Sequence, residues 1–162
     1  MNTILIIVSL LITVAYLTYT FKLFGVTWSI SDTYYKLERR KKGTGILFTL
    51  WTWTAGLPLL IAWLNLSEPS HQPFAFLACG ALMFVGAAAQ FKQSLTEMVH
   101  YVSAGICVVS ALIGSFLQDI GISLLSFAIC IGIALKHSKW VTWIEIAALT
   151  ATYITLLITH IQ

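Results

Sequence analysis

Charge is what this sequence has least of. Its 162 residues carry nine basic and six acidic side chains, 9% of the chain, beside an apolar share of 59%. Soluble domains carry roughly 25% charged and about 45–50% apolar residues. So few charges could not cover a water-exposed surface of this size. That excludes an ordinary cytosolic enzyme, a disordered tail and, despite the net charge of +3, a nucleic-acid-binding module. Cysteine is scarce as well: Cys79, Cys107 and Cys130 form an odd set without paired spacing. They argue against a disulfide scaffold or zinc finger and read as small packing residues. No Gly-rich phosphate loop, nucleophile elbow, His-Glu-x-x-His or paired-Cys motif occurs. The start Met1-Asn2-Thr3 lacks a basic n-region and a small-residue cleavage site, so the first apolar run reads as a permanent span.

What is abundant is long apolar segments. A spanning helix needs about 20 mostly apolar residues, and six segments qualify, at about 2–24, 45–64, 73–90, 95–116, 120–135 and 139–161. Pro69 and Pro73 close the turn between the second and third, and Pro58 falls inside the second, where a kink is expected. All nine basic residues fall in alternate loops: Lys22, Lys36, Arg39, Arg40, Lys41 and Lys42 in the first, Lys92 in the third, Lys136 and Lys139 in the fifth. Short basic loops stay in the cytoplasm. The sequence therefore predicts an all-α polytopic integral membrane protein: a single domain over 1–162, a six-transmembrane-helix bundle with both termini outside, in a bacterial inner membrane. Trp51, Trp53, Trp63, Trp140, Trp143, Tyr16, Tyr19 and Tyr101 are expected at headgroup level.

Apolar side chains gain nothing by leaving lipid for one another, so small residues mark helix contacts. Ser103, Cys107, Ala111 and Ser115 share one face, as do Ser126, Cys130 and Ala134, and Ala147, Ala151, Thr155 and Thr159. The fourth, fifth and sixth spans are thus expected to pack together. A monomer and a homodimer both remain compatible with these stripes.

Polar groups at membrane depth face protein or a cavity and mark sites. On the cytoplasmic side the sequence gathers Ser29, Ser31, Asp32, Tyr35, Gln90, Glu97, His100 and Glu145 as a candidate ligand-binding set. Glu97 and His100 share a helix face. At 1.5 Å per residue, His100 and Glu145 lie at similar depth, roughly 7–9 Å in. A short interfacial helix is expected after Asp32, its tyrosines at the headgroups. The run Arg39-Arg40-Lys41-Lys42 is read as a topology determinant and an anionic-lipid headgroup site.

The segment Ser29-Ile30-Ser31-Asp32-Thr33-Tyr34-Tyr35 is similar to one in small bacterial six-span proteins of unknown function. So are the stretch from Gly80 through Gly86-Ala87-Ala88 and Val99-His100-Tyr101-Val102-Ser103-Ala104. In layout the chain resembles the wider DRAM/Sfk-like superfamily, except that Val26-Thr27-Trp28 stands where that pattern has a Pro. The resemblance implies that Ser31, Asp32 and His100 lie near one another and carries no chemistry with it. A looser likeness is to ceramidase-like hydrolases, which set a Ser, an Asp and three His around zinc. It extends to Ser31, Asp32 and His100, but His160 lacks the partner four residues away that those proteins have.

The leading expectation is a non-enzymatic membrane protein whose cytoplasm-facing pocket binds a lipid headgroup or small ligand. No catalytic residue, metal or cofactor is assigned, and no nucleic-acid partner is expected. The alternatives are a membrane-embedded lipid hydrolase using Ser31, Asp32 and His100, with zinc completing the site if any metal does, and a small proton- or ion-coupled transporter using His100 and Glu145.

Overall fold

The structure is a computed structural model. It describes residues 1–89, 94–136 and 138–161, and within these all side chains but 94–97, 130, 133, 134, 160 and 161. The predicted site residues Gln90 and Glu97, and Lys92 of the third loop, lie outside the described side chains. Among the described residues there are seven α-helices and no strand: α1 (Asn2–Phe24), α2 (Asp32–Arg40), α3 (Ile46–Leu66), α4 (Gln72–Ala88), α5 (Ser94–Gln118), α6 (Ile120–Ala134) and α7 (Trp140–Ile161). Six of them follow the six apolar segments to within two residues at either end, and α2 occupies the first loop. Four helices, α1, α3, α5 and α7, are long and apolar enough to cross a membrane. The apolar helices of α4 and α6 are shorter. α3 continues through Pro58.

α1, α3, α4, α5 and α7 pack side by side in that order, and α7 returns to α1. Among the described residues α6 touches α5 and α7 alone, so it leans on the ring from outside. Hydrogen bonds between successive elements establish the two ends of the bundle. At one end Thr142 N–H, in the first turn of α7, donates to the Trp28 carbonyl, and Thr49 Oγ1 of α3 donates to the Gly86 carbonyl of α4. At the other, Asn65 Nδ2 donates to Asn2 Oδ1 and Gln118 Nε2 to Ser67 Oγ. Every described Lys and Arg lies at the first of these ends, called here the basic end.

α1 shows how the sequence makes such a helix pack. Its buried residues Ile6, Ser9, Thr13, Tyr16 and Thr20 recur every three or four positions, a polar stripe turned inward while Ile4, Leu11 and Val14 face out. Ser9 Oγ donates to the Ala55 carbonyl and pairs with Tyr153 Oη (both 2.7 Å). Thr13 Oγ1 also pairs with Tyr153 Oη (3.0 Å) and accepts from Trp51 Nε1 (3.3 Å). The Tyr16 and Trp51 rings stack at 4.7 Å. Tyr16, Trp51 and Trp63, expected at headgroup level, are instead core residues. Closeness to a span end says nothing about which face a ring occupies, and these three sit on the inner faces of α1 and α3. Tyr153→Phe removes two of these hydrogen bonds. Bonds of this kind between spanning helices average roughly 0.6 kcal/mol, so a loss of about 1 kcal/mol is expected in a denaturing-detergent titration.

The packing of α5, α6 and α7 expected from the small-residue stripes is present, with hydroxyls as its fastening. Ser123 Oγ donates to the Ser115 carbonyl and pairs with Thr155 Oγ1 (both 2.8 Å), and Ser115 Oγ donates to Thr152 Oγ1 (3.2 Å). Ser103, Ala111, Ser115, Ser126, Ala147, Ala151 and Thr155 are buried. The Cys130 and Ala134 side chains lie outside the described ones. Cys79 is buried and Cys107 partly buried; both are free thiols.

Candidate functional site

The residues between α1 and α2 form the roof of the basic end, and α7 holds them there. Val26 gives one main-chain group to Lys139, just before α7, and Thr27, Trp28 and Ile30 each give one to α7 itself. Lys139 Nζ donates to the Val26 carbonyl. Thr142 Oγ1 donates to the Thr27 carbonyl at 2.8 Å, and Thr142 N–H to that of Trp28 at 3.0 Å. Glu145 Oε2 accepts the Ile30 N–H at 2.7 Å. Thr142 and Glu145 are three apart on α7 and share a face, and Lys139 stands immediately before the helix. Glu145 therefore satisfies a buried main-chain donor, and Lys139 is turned to a different acceptor.

Ser29 and Asp32 start α2 with a reciprocal pair. Asp32 N–H donates to Ser29 Oγ and Ser29 N–H donates to Asp32 Oδ2, both at 3.3 Å. This is the capping-box arrangement, in which two otherwise orphaned donors are satisfied together. Ser31, the residue before α2, places its hydroxyl 2.9 Å from Ser29 Oγ. Thr33 Oγ1 donates to the Ile30 carbonyl at 2.6 Å and pairs with Tyr16 Oη, tying the roof to α1. Of the tyrosines expected at the headgroups, Tyr35 is exposed, whereas Tyr34 packs inward against Phe48. There Gly45 admits it, since a Cβ at Gly45 would lie 2.8 Å from the Tyr34 ring. Burial, and then Glu38 and Tyr35, push the Tyr34 phenol above its usual range, so it stays a neutral side chain. Arg39, Arg40, Lys41 and Lys42 are all exposed at the end of α2 and in the following turn.

Beneath this roof lies a cavity of about 60 Å³. Ile30 and Ser31 cover it, Trp51, Val85 and Cys107 wall it, and Glu145 closes the α7 side. His100 is buried on α5, its Nδ1 3.2 Å from the Val85 carbonyl. That contact is a hydrogen bond when Nδ1 carries the proton. Asp32 lies within electrostatic reach of both His100 and Glu145, and Glu145 within reach of Cys107. Of the predicted residues, Ser31 and Glu145 line the cavity, while Asp32 and His100 stand behind its walls, His100 against Val85. Tyr35 stands apart from it, its ring on that of Tyr34.

A nucleophile–base pair needs Ser31 and His100 within hydrogen-bond reach. Here Ser31 Oγ is engaged with Ser29 and His100 Nδ1 with Val85. Among the described residues no group of three or more His, Cys, Asp or Glu is placed to hold a metal ion. Sequence reasoning missed Val26, Thr27, Cys107, Lys139 and Thr142 as parts of this site. The three-residue spacing of Lys139, Thr142 and Glu145 was the available signal. Comparison of the chain with family models, with curated proteins and with solved structures finds no match.

Proposed function

We propose that the chain is a single-domain, six-span protein of a bacterial inner membrane, with the basic end in the cytoplasm and both termini outside. Four helices long and apolar enough to cross, and described Lys and Arg residues confined to one end, support this reading. On this reading α4 and α6 are short spans within the ring and on its flank.

Its role is non-enzymatic binding of a small, hydrogen-bond-donating or cationic ligand in the cavity under Ile30 and Ser31. The observation that carries this is Glu145. A carboxyl group held among apolar walls at membrane depth is costly unless partnered, and Glu145 faces a cavity where a second partner fits. The cavity, about 60 Å³, has room for a group of ammonium size. Asp32 and Glu145 also make the site unfavourable for an anion. Anionic headgroups fit the exposed run Arg39 to Lys42 instead.

The test is thermal unfolding of the detergent-purified protein with ammonium, methylammonium or ethanolamine chloride against sodium chloride at equal ionic strength. Stabilisation by at least one of the three is expected, lost in Glu145→Gln and weakened in Asp32→Ala and His100→Ala. Identical melting in all four salts for the parent protein would sink the proposal.

A further inference from the structure

We infer that the seam between α1 and α7 is a binding site for one diacyl glycerophospholipid with an anionic headgroup, drawn from the leaflet at the basic end. Two openings lie along one face of α7. The upper, about 230 Å³, is bounded by Val26, Ser138, Lys139 and Trp143. The lower, about 270 Å³, runs between the two helices, with Val14 and Leu17 of α1 on one wall and Ile146, Thr150, Tyr153 and Leu157 of α7 on the other. Trp143, Ile146, Thr150, Tyr153 and Leu157 recur every three or four residues of α7, with Lys139 just before its first turn, so the openings follow one another down a single face.

Lengths and charge identify the occupant. From Ile146 to Leu157 the apolar groove measures roughly 16 Å at 1.5 Å per residue, about half of the ~30 Å hydrocarbon core. That is about the reach of one lipid's acyl chain. The Thr13 and Tyr153 hydroxyls already bond each other, so apart from Thr150 the lining is apolar or satisfied, which suits the groove to an acyl chain. Lys139 stands two helical turns above Ile146, at the height of a headgroup whose chain lies in the groove. Its ammonium uses one donor on the Val26 carbonyl and has two more to offer. Exposed Trp28 and Trp140 pack edge to face at the same end, a position that aromatic rings hold at the bilayer interface.

The inference rests on the membrane reading above and is independent of the Glu145 cavity. It is tested by native mass spectrometry of delipidated protein titrated with phosphatidylglycerol, with phosphatidylcholine of the same chains, and with glycerophosphoglycerol, which has the headgroup and no chains. A first phosphatidylglycerol adduct is expected at about tenfold lower concentration than the phosphatidylcholine one, and none with glycerophosphoglycerol. Val14→Trp fills the groove from an exposed position and should abolish the adduct. Ser138→Asp should raise the phosphatidylglycerol concentration required about tenfold and leave phosphatidylcholine unchanged. It carries the test alone should Val14→Trp fail to fold. Equal binding of the two lipids, parent-like binding by folded Val14→Trp, or an unchanged phosphatidylglycerol requirement in Ser138→Asp would each overturn the assignment. Glu145→Gln should leave all of these titrations unaltered, which separates this site from the cavity.

Discussion

Gly86→Val is expected to be the most damaging single substitution in the chain, and Thr52→Ala is expected to recover much of the smaller loss in Gly86→Ala. α3 and α4 come closest where Gly86 faces Thr52. A Cβ at Gly86 would stand 1.9 Å from Thr52 Oγ1 and 3.0 Å from Thr52 Cβ. Thr52 cannot swing clear, because it is fully buried and its hydroxyl donates to the Thr49 carbonyl of its own helix at 2.8 Å. One turn away Thr49 Oγ1 donates to the Gly86 carbonyl itself, so separating the helices also breaks an interhelical bond. Overpacking of a well-packed core costs typically 1–3 kcal/mol. Here the nearer contact is with a β-branched side chain rooted on a rigid helix, which places Gly86→Val at about 3 kcal/mol and Gly86→Ala at about 2 kcal/mol. Thr52→Ala deletes Oγ1 and leaves the Cβ contact, so the double variant with Gly86→Ala should be markedly more stable than the sum of the single effects predicts. Denaturing-detergent titrations of the four proteins measure this. Strict additivity of the two substitutions would show that the helices do not meet at this pair.

The same contact shows what can be read from residues in order. Gly86 stands out in the sequence as part of a glycine- and alanine-rich span, and small residues announce close helix approach. Which helix approaches does not follow from composition: the stripes pointed to α5, α6 and α7, whereas Gly86 meets α3. Periodicity was equally available in α1, where Ser9, Thr13, Tyr16 and Thr20 mark one face. Counted merely as interruptions of an apolar run, Ser9 and Thr13 look the same as Thr18, which faces outward. The level of Glu145 and His100 along their helices was legible, since helical rise is fixed once a helix's start is known. Their surroundings were not. The roof over them is irregular main chain from Val26 to Ser31, and its carbonyls and amides have no signature in side-chain spacing. The capping box at Ser29 and Asp32 is the exception, since Ser-x-x-Asp ahead of a helix is itself a sequence pattern. It assigns Asp32 a structural duty as well as its proximity to His100.

Glu145→Leu is expected to detach that roof from α7, and the contrast with Glu145→Gln separates the fold from the ligand. Ile30 is 4% exposed, so its N–H has no water to turn to when the carboxylate is removed. A buried donor left unpaired costs about 1–3 kcal/mol. The global fold need not absorb this, because the segment can open locally and recover hydration. Three attachments would remain, from Lys139 to Val26 and from Thr142 to Thr27 and Trp28. Opening should therefore begin at Ile30 and spread toward α2, where Thr33 loses its hold on the Ile30 carbonyl. Hydrogen exchange of the 27–33 segment should accelerate about tenfold to a hundredfold in Glu145→Leu, taking tenfold per 1.4 kcal/mol, while the 46–66 helix keeps its protection. Glutamine retains a carbonyl oxygen for the Ile30 N–H, so Glu145→Gln should exchange at close to the parent rate and still lose its response to ammonium-type salts. Were both variants to exchange alike and fast, the charge itself would be what anchors the roof, and salt-response measurements on Glu145→Gln would report the fold and not the ligand. Parent-like protection in Glu145→Leu would remove Glu145 from the architecture of the site and leave Thr142 as its principal fastening.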